Sequence, residues 1–551
     1  MEVAGGRGVE GSVDARPAPG NSGRHGERLA GPVDGKPPER TAGGREGVEE
    51  VAANRVPGWL RVAWLGAAVV VVAVAAALRL IDLNGQPGGL YPDEAAEGLD
   101  AHRLLHEAGF HPVFFHDDAG REALFGYLVA ATFRVAGESA TVLRGVAAVV
   151  GVVGVVALWP ALRRFGAGAA VAGMAWAAGS LWLICVARDG FRVILVPLVG
   201  ALALASLIRW GDRPGRARAT VAGIVAGAGL WTYQPLKLLP LLVILWLWWI
   251  RHVDRERFTS LRPDLRWFAI AFAVVSAPMA VAAIGDPGNY LGRGASVTAF
   301  NPDQGPGALP LHVLRTIGML GFTGDPNPRH NVGGLPLVGV PLALLVVAGG
   351  IRAWKRRGDH AHSLVLLGSA VFLIPPLIAT EGGAPHFLRS LGLAPYLAAL
   401  VALGCAELVD RCMAAGLRGG RAAAVAIAPA AALLVAAGVA AAQAYFSRGV
   451  ADRYDAYSFD LVALSAQADH GPSTAVIVDD FAAFDVRFLD AADPPTIVDP
   501  AAHLDRPERF ARIVARDRRQ LTHVVGPSLA GRSVVAARDH AGRPVVWAVA
   551  P

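Results

Sequence analysis

The sequence predicts an all-α polytopic membrane bundle of about eleven spans, with interfacial helices in its first outer loop and a small external α/β domain at its carboxy-terminal end. Three observations carry this. Of 551 residues, 54% are hydrophobic and only 17% are charged, too little polar surface for a soluble protein of this length. Apolar runs of spanning length recur from Trp59 to Tyr445. Beyond residue 446 the pattern changes to short β-type runs between helix-like stretches.

Taken in order, residues 1–58 are rich in Gly, Arg, Glu and Pro without apolar periodicity, which predicts a disordered cytoplasmic tail. The tail is too polar for a signal peptide and no cleavage site follows Leu80, so the first span is expected to stay as an anchor. That span, Trp59 to Leu80, is long enough to cross a bilayer at ~1.5 Å per residue. Further runs lie at about 140–162, 167–186, 190–210, 217–234, 235–250, 264–284, 334–353, 363–379, 388–409 and 421–445. The membrane domain is therefore read as residues 59–445.

Basic clusters set the sides of the membrane. Arg163-Arg164, Arg209 to Arg218, Arg251 to Arg266, Arg352 to Arg357 and Arg411 to Arg421 read as cytoplasmic. Residues 81–121, 285–333, 380–387 and everything after 446 then read as external, with the amino terminus inside the cell membrane. Counting Glu122 to Gly137 as a span would reverse every later loop. It is short and carries Arg134, and an arginine at mid-bilayer costs about 2.5–3.5 kcal/mol even on lenient scales. It is therefore read as a helix lying in the outer interface.

The net charge of +6 sits in these inter-span clusters, which sets nucleic-acid binding aside. Cys185, Cys405 and Cys412 form no metal-like spacing and no disulfide framework, and read as core thiols. In the external domain, residues 446–551, strands are expected at Ala475 to Val478 and His523 to Val525, with a helix over Arg506 to Arg518. Asp479-Asp480, at a strand end, reads as a turn former rather than a metal pair.

Four polar constellations fall on the external side. Tyr91-Pro92-Asp93-Glu94 opens a helix-like stretch carrying Glu97, Asp100, His102, Arg103 and Glu107. Two carboxylates at the mouth of an apolar bundle suit a base working on a lipid substrate, and the alternative is that Asp93 caps the helix after it. Arg188-Asp189-Gly190-Phe191-Arg192 joins two spans, where guanidinium forks match phosphate oxygens; internal ion pairing is the equal alternative. Tyr233 and Lys237 lie in a turn between spans, where the lysine either snorkels or meets a phosphate. His386 and Arg389 are three residues apart and share a helix face. The long loop 285–333, with Asp325, Asn327, Arg329, His330 and Asn331, reads as a cover over a site, without chemistry of its own.

An Asp-Glu pair after span one, an interfacial helix, a polytopic bundle and an external carboxy-terminal domain resemble the GT-C glycosyltransferases. Within them, residues 59–445 are most similar to the protein O-mannosyltransferase and lipid A aminoarabinose transferase group (glycosyltransferase family 39-like). Arg188 to Pro197, Tyr233 to Pro240 and Pro385 to Pro395 also look like segments of bacterial members. The resemblance implies transfer of a sugar from a polyprenyl-phosphate donor to a protein, glycolipid or polysaccharide acceptor hydroxyl outside the cytoplasm. It implies Asp93 as general base or acceptor-positioning group, Glu94 as its acidic neighbour, and Arg188, Lys237 and Arg389 as ligands of the donor phosphate. Asp189, Arg192, Tyr233 and His386 are further substrate-site candidates. Where the family often has Pro-Pro or Lys-Pro-Pro, this chain reads Gly120-Arg121-Glu122-Ala123-Leu124.

Asp93 and Glu94 are able to bind a divalent cation, but no His/Cys set with ligand spacing accompanies them, so no metal ligand is assigned. The competing function is a transporter or flippase of a lipid-linked sugar. It predicts charges in mid-span and broken helices near the bilayer centre, whereas the singular polar groups here gather at span ends.

Overall fold

In the computed structural model, residues 58–116, 120–290, 309–417, 420–468, 471–539 and 541–551 are described. The expected disordered tail lies outside them, all but its last residue. Among the described residues, eight helices are long and apolar enough to cross a membrane, or nine if one bent pair counts as a single span. The chain is a multi-pass membrane protein. The expected eleven spans are not all of this length: the runs placed at 217–234 and 334–353 form helices Arg216–Gly229 and Val340–Lys355 of only 14 and 16 residues. Glycine and proline at their ends cut them short of the ~20 residues a straight span needs.

The bent pair is Ala167–Gly179 with Leu181–Ala187, turned by 59° at Ser180. A broken helix frees carbonyls that lipid cannot satisfy. Arg79, buried at the end of helix Gly58–Leu80, donates to two of them, Ala177 O at 2.9 Å and Ala178 O at 3.0 Å. The helices pack through small residues where backbones approach closely, as expected without a hydrophobic drive between helices in lipid. At the crossing of Val340–Lys355 with Ala394–Ala414, a side chain on Gly349 would collide with the Leu400 carbonyl, and one on Gly404 with the Leu345 carbonyl. Large aromatics fill wider gaps: Trp210 stacks on Phe268 with centroids 5.5 Å apart.

Contacts sort the loops onto two ends of the bundle. At one end Arg164 pairs with Asp212 and Asp359, and Arg352 with Glu407 and Asp410. At the other end lie residues 81–91, 188–192, 230–238, 319–339 and 379–390. This end also carries strands β1 (Phe114–Phe115) and β2 (Arg121–Glu122), paired antiparallel, and helix Leu124–Ala136. That helix has 13 residues, about 20 Å of rise against a hydrocarbon core of about 30 Å. The loop 285–333 contains helix Leu309–Gly318.

The carboxy-terminal sheet has five strands: β3 (Thr474–Ile477), β4 (Thr496–Val498), β5 (Arg512–Ala515), β6 (Val534–Arg538) and β7 (Pro544–Val549). Their order is β4-β3-β5-β7-β6, parallel across β4, β3 and β5 and antiparallel across β5, β7 and β6. Apolar clusters cover both faces, one with Leu461 and Val486, the other with Leu521 and Val524. Two expectations are corrected. His523 to Val525 ends helix Arg518–Val525, because Asp517 caps its start and Leu521, Val524 and Val525 share its buried face. Most of Arg506 to Arg518 is instead occupied by a short 3-10 turn and by β5, a strand buried between two neighbours. Asp479 accepts the Ala482 N–H at 2.8 Å, a turn-forming role.

Replacing Gly349 by Leu is expected to destabilise the detergent-solubilised protein by ~1–3 kcal/mol through overpacking, read as a lower thermal midpoint. Gly350→Leu, at a glycine facing open space, is the matched control and should leave the midpoint within error.

Candidate active site

The polar end of the bundle is organised by the segment after the first span. Gly88, at φ +94°, lies against the Tyr454 ring, and a Cβ on Gly89 would strike the Tyr457 carbonyl. This close approach carries the chain into helix Pro92–His106, with Tyr91 as its N-cap. Proline at the first helical position is preset for the helix. The helix therefore starts before Asp93, and Asp93 is not its cap. Glu94 takes that part instead, accepting the Tyr91 N–H at 3.2 Å.

Glu94 is fully buried and its carboxylate is saturated. It accepts from Arg144 Nε at 2.9 Å and Nη2 at 2.7 Å, and from the Gly190 N–H at 2.7 Å. It is thus a structural anchor between three segments, and its assignment beside Asp93 as a reacting acid is revised accordingly. A second buried network follows on the same helix. Glu97 pairs with Arg192 at 2.9 Å, Arg192 with Glu122 at 3.2 Å, and Glu122 with Lys237 at 3.1 Å. Burial raises the Glu97 carboxyl, and Arg192 and Arg121 oppose that rise. Lys237 also sits over the Tyr290 ring at 3.8 Å. Tyr233 packs edge-on to Phe191 and lies beneath the Arg192 guanidinium. Asp100 and Arg121 form a further buried pair at 2.5 Å.

Asp93 differs from these acids. Its side chain keeps 25% exposure, and Arg329 lies within ion-pair distance at 3.7 Å. The Arg329 guanidinium carbon lies over the Tyr91 ring, 3.4 Å from its centroid, and its charge is favoured by Tyr91, Asp93 and Asp189 against the effect of burial. Asp189 is buried nearby. Desolvation and then the Glu94 charge hold its carboxyl well above the usual range, with Arg329 and Arg144 opposing. Within this group, Asp93 is the carboxylate with open access.

A third group adjoins it. Asp325 accepts from His330 Nδ1 at 3.0 Å, from the Phe387 N–H at 2.7 Å and from the Asn327 N–H at 2.9 Å. The His330 and His386 rings lie 5.3 Å apart. Burial, followed by the Arg389 guanidinium, pushes the His386 imidazole down to about 3. Arg389 donates to the Ala379 carbonyl at 2.9 Å and to the Glu381 carbonyl, with the Glu381 carboxylate 3.7 Å away.

Arg188, expected at the donor phosphate, is corrected. Its Nη1 donates to the Leu78 and Arg79 carbonyls and its Nη2 to those of Asp82 and Gln86, at 3.1–3.3 Å. Its guanidinium also lies 5.0 Å from the ring centroids of both Tyr445 and Phe446. It seals the open end of the first span, with both terminal nitrogens committed to carbonyls.

No family model matches the sequence, and no curated protein matches it. The structure is similar to the crystal structure of ArnT from Cupriavidus metallidurans bound to undecaprenyl phosphate, with a TM-score of 0.52 at 16% identity, covering 90% of this chain and 98% of that one. The fold is GT-C. ArnT in the apo state matches with the same score and identity over 89% of this chain. Arabinofuranosyltransferase AftD from Mycobacteria aligns less well, at a TM-score of 0.46 and 15% identity, covering 41% of that protein.

Within this GT-C fold, sequence reading missed Arg144, Arg329 and the Asp325–His330 pair. Arg144 had a signal: an arginine inside an apolar span requires a partner. Arg329 had none, because the contact with Asp93 joins segments more than two hundred residues apart. Glu94→Ala should cost about 3–5 kcal/mol by leaving the Arg144 charge buried and unpaired, seen as a large loss of thermal midpoint. Asp93→Asn, at a partly open site, should shift the midpoint little.

Proposed function

We propose that this protein is a membrane glycosyltransferase that moves a sugar from a polyprenyl-phosphate donor to an acceptor hydroxyl on the external face. The observation that carries the reading is Asp93: a partly open carboxylate beside a guanidinium, at the polar mouth of an apolar bundle with the fold of ArnT. ArnT is bound to undecaprenyl phosphate in its crystal structure, which supports a donor of the same chemical class here.

In this reading the acceptor hydroxyl meets Asp93, which takes its proton as the oxygen attacks the sugar's anomeric carbon. The new glycosidic bond forms as the bond to the phosphate oxygen breaks, and the polyprenyl phosphate departs with the electron pair. Arg329 supplies the phosphate charge contact in place of Arg188, with Arg389 and Lys237 as further cations at the same end of the bundle. The stretch that brings Arg329 to Asp93 continues into Leu335 to Gly339, which wall an apolar cavity of about 230 Å³ together with Trp176, Leu181 and Leu434. The prenyl chain is assigned to that cavity.

The transporter alternative draws on the broken helix at Ser180. Its freed carbonyls at Ala177 and Ala178 are occupied by Arg79, so the break offers no open coordination to a passing ion, and the enzyme reading is preferred.

The test uses purified protein in lipid nanodiscs with a panel of polyprenyl-phosphate sugars and mixed membrane acceptors, following release of polyprenyl phosphate. Asp93→Asn is expected to lower release by about 10²–10⁴-fold, the usual contribution of a positioned general base. Arg329→Ala should also impair it. Full activity in Asp93→Asn would remove the base assignment, and no release from any donor would refute the transferase.

A further inference from the structure

The group formed by Asp325, His330 and His386 has no part in the transfer chemistry above, yet it carries buried polar atoms that nothing satisfies. His330 is 1% exposed, its Nδ1 is held by Asp325, and its Nε2 has no hydrogen-bond partner. His386 Nδ1 is likewise buried and unpartnered. One donor atom from each of the three residues lies within 4.8 Å of the other two. Two unsatisfied imidazole nitrogens in one buried cluster are costly by themselves.

We propose that this cluster is a binding site for a borderline divalent transition-metal cation of the zinc or cobalt class. His330 ligates through Nε2 and His386 through Nδ1. Asp325 stands behind His330, fixing its tautomer through the Nδ1–H bond and adding negative charge, the usual carboxylate–histidine–metal relay. Imidazole donors favour these metals over magnesium or calcium, which prefer oxygen ligands. The nearby Arg329 and Arg389 guanidiniums oppose a cation here, and each is partly offset by a carboxylate at 3.7 Å, Asp93 for Arg329 and Glu381 for Arg389.

Occupancy would tie more firmly two segments that the Asp325–Phe387 hydrogen bond and the His330–His386 ring contact already join: the turn 325–331, which carries Arg329, and the stretch 381–389, which carries Arg389. The site is thus a clasp on the loops flanking Asp93. The proposal stands on these side chains and is independent of the transferase reading.

A second histidine cluster, His102 and His106 with Glu138, serves as the internal control. There both imidazoles already meet the Glu138 carboxylate, at 2.6 and 2.7 Å, on a partly exposed surface. The experiment titrates Co²⁺ into chelator-stripped full-length protein in nanodiscs, reading visible ligand-field absorption, retained metal and thermal midpoint. One equivalent per chain is expected to bind and to raise the midpoint by linkage. His330→Gln and His386→Gln should each abolish the absorption, and Asp325→Asn should weaken binding by about 10–100-fold. His102→Ala should leave it intact. Absence of Co²⁺ and Zn²⁺ binding by the wild type overturns the proposal, as does binding that survives His386→Gln or disappears in His102→Ala. Gel filtration and the metal-free midpoint identify a misfolded variant, and the other histidine variant then decides.

Discussion

The polar end of this protein is built around the Glu94 carboxylate. It receives both Arg144 nitrogens, the Tyr91 N–H and the Gly190 N–H, and so fixes the start of one helix, the flank of a spanning helix and the turn between two more. A buried charge is tolerable only when its partners are complete, which makes this arrangement nearly all-or-none. Asp93 is its neighbour on the same turn of helix, so the position of the open carboxylate follows from the saturation of the closed one. The two acids that look equivalent in sequence are separated by their surroundings: one has four donors, the other an opening and a guanidinium.

A second constraint acts along the membrane helices, where every backbone carbonyl needs a donor. Two arginines meet it reciprocally. Arg79, from the first span, closes the break at Ser180, and Arg188, just after that broken pair, closes the end of the first span. The exchange fixes the height at which residues 81–91 leave the bundle, and therefore the depth at which Asp93 lies. It also explains why guanidinium groups at this end are not interchangeable: Arg188 faces carbonyls and aromatic rings, Arg192 faces Glu97 and Glu122, and Arg329 faces Asp93.

Much of this fold is legible in the sequence because apolar run length and arginine placement are local, strong signals. They give the bundle, the two groups of loops and the short helix after β2. They overestimate helix length where glycine and proline end a helix early, as at Arg216–Gly229, since composition does not reveal a terminus set by packing. In the sheet domain, His523 to Val525 misleads because β-branched residues also suit the buried face of a short helix once Asp517 caps it. At the site, the Asp-Glu pair, Asp189 and Lys237 are visible as polar residues at span ends, but their roles are not. Whether an arginine meets a carbonyl, a carboxylate or open water depends on contacts such as Arg329 to Asp93, which no local pattern records.

The glycines at 88 and 89 lie under residues 454 and 457, at the far end of the chain. The polar mouth is consequently a shared product of segments that leave the ribosome more than three hundred residues apart. Asp93, Glu94, Arg144 and Asp189 are all made before residue 200, but the lid over their loop is made after residue 450. Until the last hundred residues are synthesised, the nascent bundle carries its acids without the cover that shapes their loop, and a chain terminated early would insert in the membrane as an unfinished site.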